Sequence, residues 1–251
     1  MKYYLVSGGG SGIGRAIALR LSQNEENRIA VCGRDPHKLS DTRLALRGFH
    51  DHHILPVNIA SVASLDQAFK ECPFPRLDGI IANAGIGGEN HFGPSDRWDT
   101  IVQTNLTGTY RFVQTFLPLL RHDPDDFRHI VIISSVLARL GVAHYSAYCA
   151  SKAGLLGLMR SWAVELAPEQ ILVNAVCPGW VNTDMARQGM EGGAERLGVA
   201  TETFHEMAMQ AVPLRKMSEP WEIAETVVFL LNQKSITGQT IDVNNGAVMN
   251  S

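Results

Sequence analysis

Tyr148 and Lys152 stand four residues apart in a segment whose pattern predicts a helix. Residues at this spacing lie on one helical face, about 6 Å apart along the axis. An ammonium group nearby favours the charged form of a phenol, whose ordinary pKa is about 10. A tyrosine with a lowered pKa can donate and accept a proton near neutral pH. The pair predicts acid–base chemistry with Tyr148 as the proton carrier, although such pairs also occur on solvated helix faces, so further motifs must decide.

A glycine-rich segment, Ser7-Gly-Gly-Gly-Ser-Gly-Ile-Gly14, joins the first predicted strand to the first predicted helix. Gly8, Gly12 and Gly14 permit positive φ angles and a close approach of the backbone to a pyrophosphate, and the helix N-terminus attracts its negative charge. A plain strand-to-helix turn is the alternative. The position in the first βα unit favours a dinucleotide site.

The end of the second predicted strand bears on the choice of dinucleotide. An acidic side chain there binds a ribose 2′-hydroxyl, whereas an arginine accommodates a 2′-phosphate. Arg34 therefore favours NADP(H) over NAD(H), since a guanidinium binds phosphate with two hydrogen bonds. Asp35 is an alternative ribose ligand if the loop register shifts by one or two residues. Its place before Pro36 is also typical of a helix N-cap, which we favour.

Short apolar runs alternate with longer amphipathic stretches along the whole chain, a pattern that predicts an α/β fold. We expect one domain over residues 1–251, with a doubly wound parallel sheet of Rossmann type, about seven strands, and helices on both faces. The predicted strands are 2–7, 28–33, 53–57, 77–83, 129–134, 171–177 and 240–243. The predicted helices are 12–23, 36–47, 61–71, 95–121, 146–167 and 219–231.

Residues 182–217, here called the flap segment, are rich in Gly and Met and have poor periodicity. We interpret them as a mobile substrate flap with short helices. Its methionines either form an adaptable pocket wall or pack the helices of the flap segment. Tyr145 and Trp180 are further candidates to line the pocket. The methionines concerned are Met185, Met190, Met207 and Met209.

The composition excludes several classes of protein. With 45% hydrophobic and 19% charged residues and a net charge of −3, the 251 residues are neither disordered nor a nucleic-acid binder. Cys32, Cys72, Cys149 and Cys177 include no CxxC pair, which argues against a disulfide framework or a zinc site. No apolar run approaches the roughly 20 residues that span a bilayer. We expect a cytoplasmic protein that binds a small molecule and neither nucleic acid nor a membrane.

Together, the motifs resemble those of the short-chain dehydrogenase/reductase family, and the resemblance covers nearly the whole chain. The family's opening pattern TGxxxGxG is matched with Ser7 in place of Thr. The remaining motifs follow in family order: Asn83-Ala-Gly85, Asn105, Ser135, Tyr148-Cys-Ala-Ser-Lys152, and Pro178-Gly179 with Thr183.

The resemblance implies hydride transfer between a nicotinamide and a carbon that bears oxygen, with no metal. Tyr148 would carry the proton, and Lys152 would bind the nicotinamide ribose and lower the tyrosine pKa. Ser135 would hold the substrate oxygen, because the family's thirteen-residue offset selects it over Ser134. Asn105 would hold a water that connects the lysine to solvent.

The resemblance also implies the residues that contact the dinucleotide. Asn58 stands where the family usually has an Asp that accepts a hydrogen bond from adenine, and Thr183 would contact the nicotinamide carboxamide. The full implied set is Ser7, Gly8, Gly10, Ser11, Gly12, Ile13, Gly14, Arg34, Asn58, Ile59, Asn83, Ala84, Gly85, Tyr148, Lys152, Pro178, Gly179, Val181 and Thr183.

The substrate is open at this point. 3-Oxoacyl-carrier-protein reduction is one alternative, but Asp126 and Glu169 stand, on an ungapped count, where that reductase has arginines that dock its acidic carrier. Acidic residues would repel the carrier, which favours a small ketone, alcohol or CoA-linked substrate. A noncatalytic dinucleotide sensor is less favoured, because all four catalytic residue types are present. The resemblance further implies a homotetramer built from helices 95–121 and 146–167 and the C-terminal segment.

Overall fold

A computed structural model describes residues 1–120 and 126–249. Within these residues, seven strands form one parallel sheet in the order β3-β2-β1-β4-β5-β6-β7. The predicted α/β fold is therefore confirmed. The strands are β1 (Lys2–Ser7), β2 (Asn27–Gly33), β3 (His53–Pro56), β4 (Gly79–Ala82), β5 (Arg128–Ile133), β6 (Ile171–Pro178) and β7 (Thr240–Val243).

Helices cover both faces of the sheet, because successive residues of each buried strand point to opposite sides. The helices are α1 (Gly12–Leu21), α2 (Pro36–Ala45), α3 (Val62–Lys70), α4 (Trp98–Val102), α5 (Thr109–Leu120), α6 (Ser146–Glu165), α7 (Asp184–Leu197), α8 (Thr201–Gln210) and α9 (Pro220–Leu231). In β1, Leu5 packs into one apolar cluster with residues of α3, α5 and α6. Its neighbours Tyr4 and Val6 pack into a second cluster with residues of α1, α2 and α9.

The strand order determines where a ligand can enter. The chain builds the sheet outward from β1 to β2 and β3, and then returns to place β4 on the other side of β1. The connections that follow β1 and β4 therefore diverge and leave a crevice at the carboxyl ends of these two strands. Ligands of open α/β sheets bind at such a switch point.

The long helix predicted over 95–121 is interrupted. Helix α4 begins only at Trp98, where the Asp96 carboxylate accepts a hydrogen bond from the Trp98 amide at 3.0 Å. Residues Gln103–Gly108 form a π-helical turn before α5 continues to Leu120. Such turns are rare in proteins as a whole, but those that occur often lie at functional sites. The predicted end, Arg121, lies outside the described residues.

Smaller differences concern the ends of elements. Strand β4 is shorter than predicted because Leu77 bonds instead to the carbonyl of Leu119, and the amide of Asn83 turns to a side chain of β1. The predicted helices in the flap segment are present as α7 and α8. In the described residues, no helix has both the length and the apolar character to cross a bilayer.

Candidate active site

A cleft of about 940 Å³ opens at the carboxyl ends of β1, β4, β5 and β6. The glycine-rich turn after β1 lines one end, and helices α7 and α8 of the flap segment line the other. Ser135 follows β5, and Pro178 ends β6, so the sheet brings residues distant in the sequence to one edge. The cleft therefore occupies the crevice that the strand order predicts.

The glycine-rich turn is shaped for close backbone contacts. Gly8 has a φ of +66°, and a Cβ atom on Gly14 would lie 2.2 Å from the Gly8 carbonyl oxygen. Gly14 therefore packs the helix onto the turn and does not line the cleft. Ser11 is the N-cap residue of α1, but its side chain makes no capping hydrogen bond. The first backbone N–H groups of α1 therefore have no capping side chain as acceptor. They can donate hydrogen bonds to an anionic ligand such as a pyrophosphate.

The hydroxyl of Ser7 explains why a Ser can replace the family's Thr. Its Oγ donates to the Ile81 carbonyl at 3.3 Å and accepts from the amides of Asn83 and Ala84 at 2.9 and 3.0 Å. The Asn83 side chain in turn donates to the Ser7 carbonyl at 3.0 Å. These bonds connect the ends of β1 and β4 and hold both edges of the crevice in place.

The end of β2 separates the two interpretations of Asp35. Its carboxylate accepts hydrogen bonds from the amides of His37 and Lys38 at 3.0 and 3.3 Å, so it is the N-cap of α2, as predicted. Arg34 is exposed at the cleft and, among the described residues, makes no ion pair. Lys38 also lines the cleft beside Gly10, where a Cβ atom would lie 3.1 Å from the Lys38 Cβ. Two cations therefore border this end of the cleft.

Tyr148 and Ser135 lie close together in the cleft. Burial raises the pKa of the Tyr148 phenol to about 12, and a hydrogen bond with the Ser135 side chain partly offsets the increase. The neighbouring Ser134 points the other way and donates to the Lys152 carbonyl at 2.8 Å. The geometry thus agrees with the choice of Ser135 over Ser134.

Lys152 lies beside Tyr148, yet the net shift of the tyrosine pKa is upward, because burial is its largest cause. Its Nζ is 5.6 Å from the centre of the Tyr148 ring and donates to the Ile133 carbonyl at 2.9 Å. Lys152 is 5% exposed, and burial lowers its own pKa to about 8. Burial is therefore the largest cause of the pKa shift in both groups.

Asn105 is fully buried in the π-helical turn, behind the cleft wall. Its side chain accepts from the Ile86 amide at 2.8 Å and donates to the Ile86 carbonyl at 2.9 Å and to the Ser151 hydroxyl at 3.2 Å. A Cβ atom on Gly85 would lie 3.1 Å from the Asn105 Oδ1 and 3.6 Å from the Lys152 Nζ. Asn105 therefore positions the loop after β4 close to the lysine, whereas the water implied by the family resemblance stays a prediction.

Most residues implied by the resemblance line this cleft; Gly14 and Asn105 do not. Asn58 lines it, although its Oδ1 already accepts from the Ala60 amide at 3.1 Å. Thr183 also caps α7, since its Oγ1 accepts from the Ala186 amide at 3.3 Å. Sequence analysis missed the charged lining residues Lys38, Asp184 and Arg196. The position of Lys38 near the start of α2, close to Arg34, was a usable signal, whereas nothing in the sequence marks Arg196.

The methionines of the flap segment divide between the two predicted roles. Met185 lines the cleft, as do Tyr145 and Trp180. Met190 and Met209 are buried in a small apolar cluster between the helices of the flap segment. Met207 is exposed. The motion of the flap segment stays a prediction.

The structure places Asp126 and Glu169 away from the cleft of their own chain. These residues precede the starts of β5 and β6, at the edge of the sheet opposite the cleft, where Arg128 donates to the backbone carbonyls of both at 2.6 Å. Acidic side chains there do not border the cleft of the same chain. The predicted repulsion of an acidic carrier by these residues stays a prediction.

Comparisons with known proteins agree with this geometry. A family model described as enoyl-(acyl carrier protein) reductase matches residues 8–248. The 3-oxoacyl-[acyl-carrier-protein] reductase FabG of Staphylococcus aureus (strain Mu50) is 32% identical, over 99% of this chain and 98% of the relative. FabG of Aquifex aeolicus (strain VF5) is 33% identical, over 98% and 96%.

Solved structures give the same result. A single-residue variant of actinorhodin polyketide ketoreductase with NADPH superimposes with a TM-score of 0.91 at 32% identity, over 98% of this chain and 97% of that chain. Levodione reductase superimposes with a TM-score of 0.89 at 26% identity, over 98% and 96%. With the match of the family model over nearly all residues, we conclude that this chain belongs to the short-chain dehydrogenase/reductase family of NAD(P)-dependent oxidoreductases.

Proposed function

We propose that the protein is an NADP(H)-dependent oxidoreductase that interconverts a carbonyl and a secondary alcohol on a small molecule. The observation that carries the proposal is the meeting of the Ser135 hydroxyl and the Tyr148 phenol in a cleft that the glycine-rich turn also lines. Two hydroxyls that converge on one point suit a carbonyl oxygen, which gains negative charge as it is reduced. We predict that purified protein oxidises NADPH with a panel of ketones, measured by nicotinamide absorbance with NADH in parallel.

The residues present fit a dinucleotide. The free amides at the start of α1 would bind the pyrophosphate, and Arg34 and Lys38 would border the adenosine ribose. The nicotinamide, when bound, supplies or accepts the hydride. Tyr148 is protonated at neutral pH because its pKa is raised to about 12, so it is ready to donate a proton during reduction. Lys152 would bind the nicotinamide ribose, and Ser135 would hold the substrate oxygen.

The preference for NADP(H) is tested by two variants of adjacent residues. Arg34→Ala removes a charge-assisted contact to the 2′-phosphate, worth about 1.5–3 kcal/mol, so KM for NADPH should rise roughly 10–100-fold with little change for NADH. Asp35→Ala instead removes the cap of α2 and should lower stability by about 1 kcal/mol. It should leave the ratio of NADPH to NADH use unchanged, as measured by steady-state kinetics and thermal unfolding. A selective loss of NADH use in Asp35→Ala would make Asp35 a ribose ligand after all.

The role of Ser135 is tested against its neighbour. Ser135→Ala removes a hydrogen-bond donor to the developing oxyanion and should lower kcat about 10²-fold. Ser134→Ala removes a bond to the Lys152 carbonyl, on the side away from the substrate, and should keep kcat within about threefold. Equal losses in the two variants would contradict the assignment. Thermal unfolding of both shows whether either change acts through stability.

A second candidate function is 3-oxoacyl-carrier-protein reduction. It is favoured by the FabG relatives, which align over almost the whole chain. The comparison that separates the candidates is kcat/KM for acetoacetyl carrier protein against acetoacetyl-CoA. A strong preference for the carrier protein would favour this second function.

We also propose a homotetramer in the cytoplasm, with no membrane or nucleic-acid partner. The outward face of α6 supports the assembly: Ala153, Gly157, Arg160 and Val164 are exposed there, and three of these four are small or apolar. Small and apolar side chains let helices approach closely. Light scattering coupled to gel filtration measures the mass.

A noncatalytic sensor is the third possibility, and NADPH binding without turnover of any ketone or alcohol would favour it.

A further inference from the structure

One face of α7 forms the wall of the cleft farthest from the glycine-rich turn. Met185, Gly189, Gly193 and Arg196 follow one another at intervals of four, four and three residues, so they share a face, and all four line the cleft. A Cβ atom on Gly193 would overlap the ring of Phe204, which shows how closely this face approaches α8. Arg196 is the charged member of this face, whose other three residues are apolar or small.

Arg196 forms an ion pair with Glu89. Its Nη1 donates to the Oε1 of Glu89, which lies in the loop after β4, and the two side chains are 33% and 20% exposed. Arg196 lines the main cleft, whereas Glu89 lines an adjoining cavity of about 560 Å³. The ion pair therefore stands between the two spaces. Partly exposed ion pairs of this kind contribute little to stability. The free-energy cost of replacing Glu89 by another carboxylate on Arg196 is therefore small.

Two further basic side chains, those of His91 and Arg97, lie near this pair. The second oxygen of Glu89 lies 3.2 Å from the Nε2 of His91. Arg97 lines the same cavity and donates to the carbonyl of Gly87 at 3.2 Å; within the described residues it has no carboxylate partner. The guanidinium groups of Arg196 and Arg97 therefore lie near one carboxylate, that of Glu89, which pairs with Arg196, and a second carboxylate would balance their charge.

These charges lie within reach of the reaction site. The Tyr145 ring packs edge-on against the Tyr148 ring with centroids 6.4 Å apart. Burial and Glu89 raise the pKa of the Tyr145 phenol, whereas Arg196 and Arg97 lower it, so all three charges act at its hydroxyl. Tyr145 thus connects the proton donor to the charged wall.

We infer that Arg196 binds a carboxylate on the substrate, and that the side chain of Glu89 holds this place until the substrate displaces it. The inference rests on the proposed function and narrows its substrate class to oxo acids and the corresponding hydroxy acids. The carboxylate would be several bonds from the reacting carbonyl, because Tyr145 lies beside both Tyr148 and the charges. A carboxylate is favoured over a phosphate because Arg196 already binds one, from its own chain.

Paired substrates test the inference. We would measure kcat/KM with NADPH for laevulinate, 6-oxoheptanoate and their methyl esters, which replace the negative carboxylate by an uncharged ester with one more methyl group. Arg196→Gln should lower kcat/KM for the acids about 10–100-fold and change the esters less than about threefold. Glu89→Gln should raise kcat/KM for the acids, since it removes the competing carboxylate. Arg47→Gln, which breaks the exposed pair of Arg47 with Glu25, is the matched control and should change neither.

Several outcomes would overturn the inference. Equal losses for acids and esters in both cleft variants would make the pair a structural contact that holds α7. Arg196→Gln could instead lower kcat/KM for acetoacetyl-CoA while leaving kcat/KM unchanged for the acetoacetyl thioester of N-acetylcysteamine and for the oxo acids. That result would make the ligand of Arg196 a phosphate group. A wild-type enzyme that prefers the esters would also contradict it.

A binding experiment keeps the test independent of turnover. Calorimetry with hexanoate and hexanamide, in the presence of NADP⁺, should show tighter binding of the acid by the wild type, and Arg196→Gln should lose this difference. Equal binding of acid and amide by the wild type would overturn the inference. If the acid is preferred but no ketone is reduced, the proposed reaction fails while the carboxylate site stands.

Discussion

Tyr148→Phe is expected to lower kcat for ketone reduction about 10³–10⁴-fold, while NADPH binding stays within a few-fold of the wild type. The substitution keeps the ring and its packing against Tyr145 but removes the proton donor. The rate is measured by NADPH absorbance with a ketone that the wild type reduces, and binding by the fluorescence of NADPH.

The pH dependence follows from the direction of the shift in Tyr148. Burial raises its pKa to about 12, so the phenol stays protonated through neutral pH. In the reductive direction the proton donor is then present, and kcat should be flat from about pH 6 to about pH 10. In the oxidative direction the phenolate is needed, so kcat should rise with pH over the same range. A bound nicotinamide that carries positive charge would move this rise to lower pH.

Tyr145→Phe is the matched control, since it removes a phenol from the same cleft without removing the proposed acid. It should keep more than about one tenth of wild-type kcat for an uncharged ketone. If Tyr148→Phe also kept that much activity, Tyr148 would not be the proton carrier. A loss of NADPH binding in Tyr148→Phe would instead show that the phenol serves the cofactor site.

Lys152→Met should lower kcat/KM at least about 10²-fold. At pH 7 it should also raise the free energy of unfolding of the cofactor-free protein. The ammonium group is buried, and its pKa of about 8 in the folded chain lies below the value of 10.5 for the free side chain. Below pH 8 both states are protonated, and burial of the charge costs about 3 kcal/mol. The loss of a donor to the Ile133 carbonyl offsets about 1–2 kcal/mol of the gain.

The pH dependence of the stability difference between Lys152→Met and the wild type gives a second test. Between about pH 8 and pH 10.5 the folded state binds fewer protons than the unfolded state, so wild-type stability gains from rising pH through this group. The advantage of Lys152→Met should therefore be largest at pH 7 and disappear above about pH 10.5. Chemical unfolding at several pH values measures it. Lys38→Met, which changes an exposed lysine, should show no such dependence; a stability loss in Lys152→Met at pH 7 would contradict the argument.

The sequence determined the sheet, because alternating βα periodicity is a local property that buried parallel strands impose on their residues. The prediction for β7, 240–243, matches the structure, and the glycine-rich turn was placed between its strand and helix correctly. Asp35 as an N-cap was equally readable, since its hydrogen bonds go to amides two and three residues ahead. Such features depend on neighbours in the chain.

Tertiary structure decided what depends on distant partners. The π-helical turn in the helix predicted over 95–121 forms around Asn105, whose bonds go to Ile86 and Ser151, and no local pattern encodes them. The pKa of Tyr148 moves in the direction opposite to the one its spacing from Lys152 predicts, because burial by surrounding elements outweighs one nearby charge. The pairing of Arg196 with Glu89 joins residues 107 positions apart. Sequence spacing reports which groups can meet along one helix, whereas burial and long-range contacts exist only once the whole chain has folded around them.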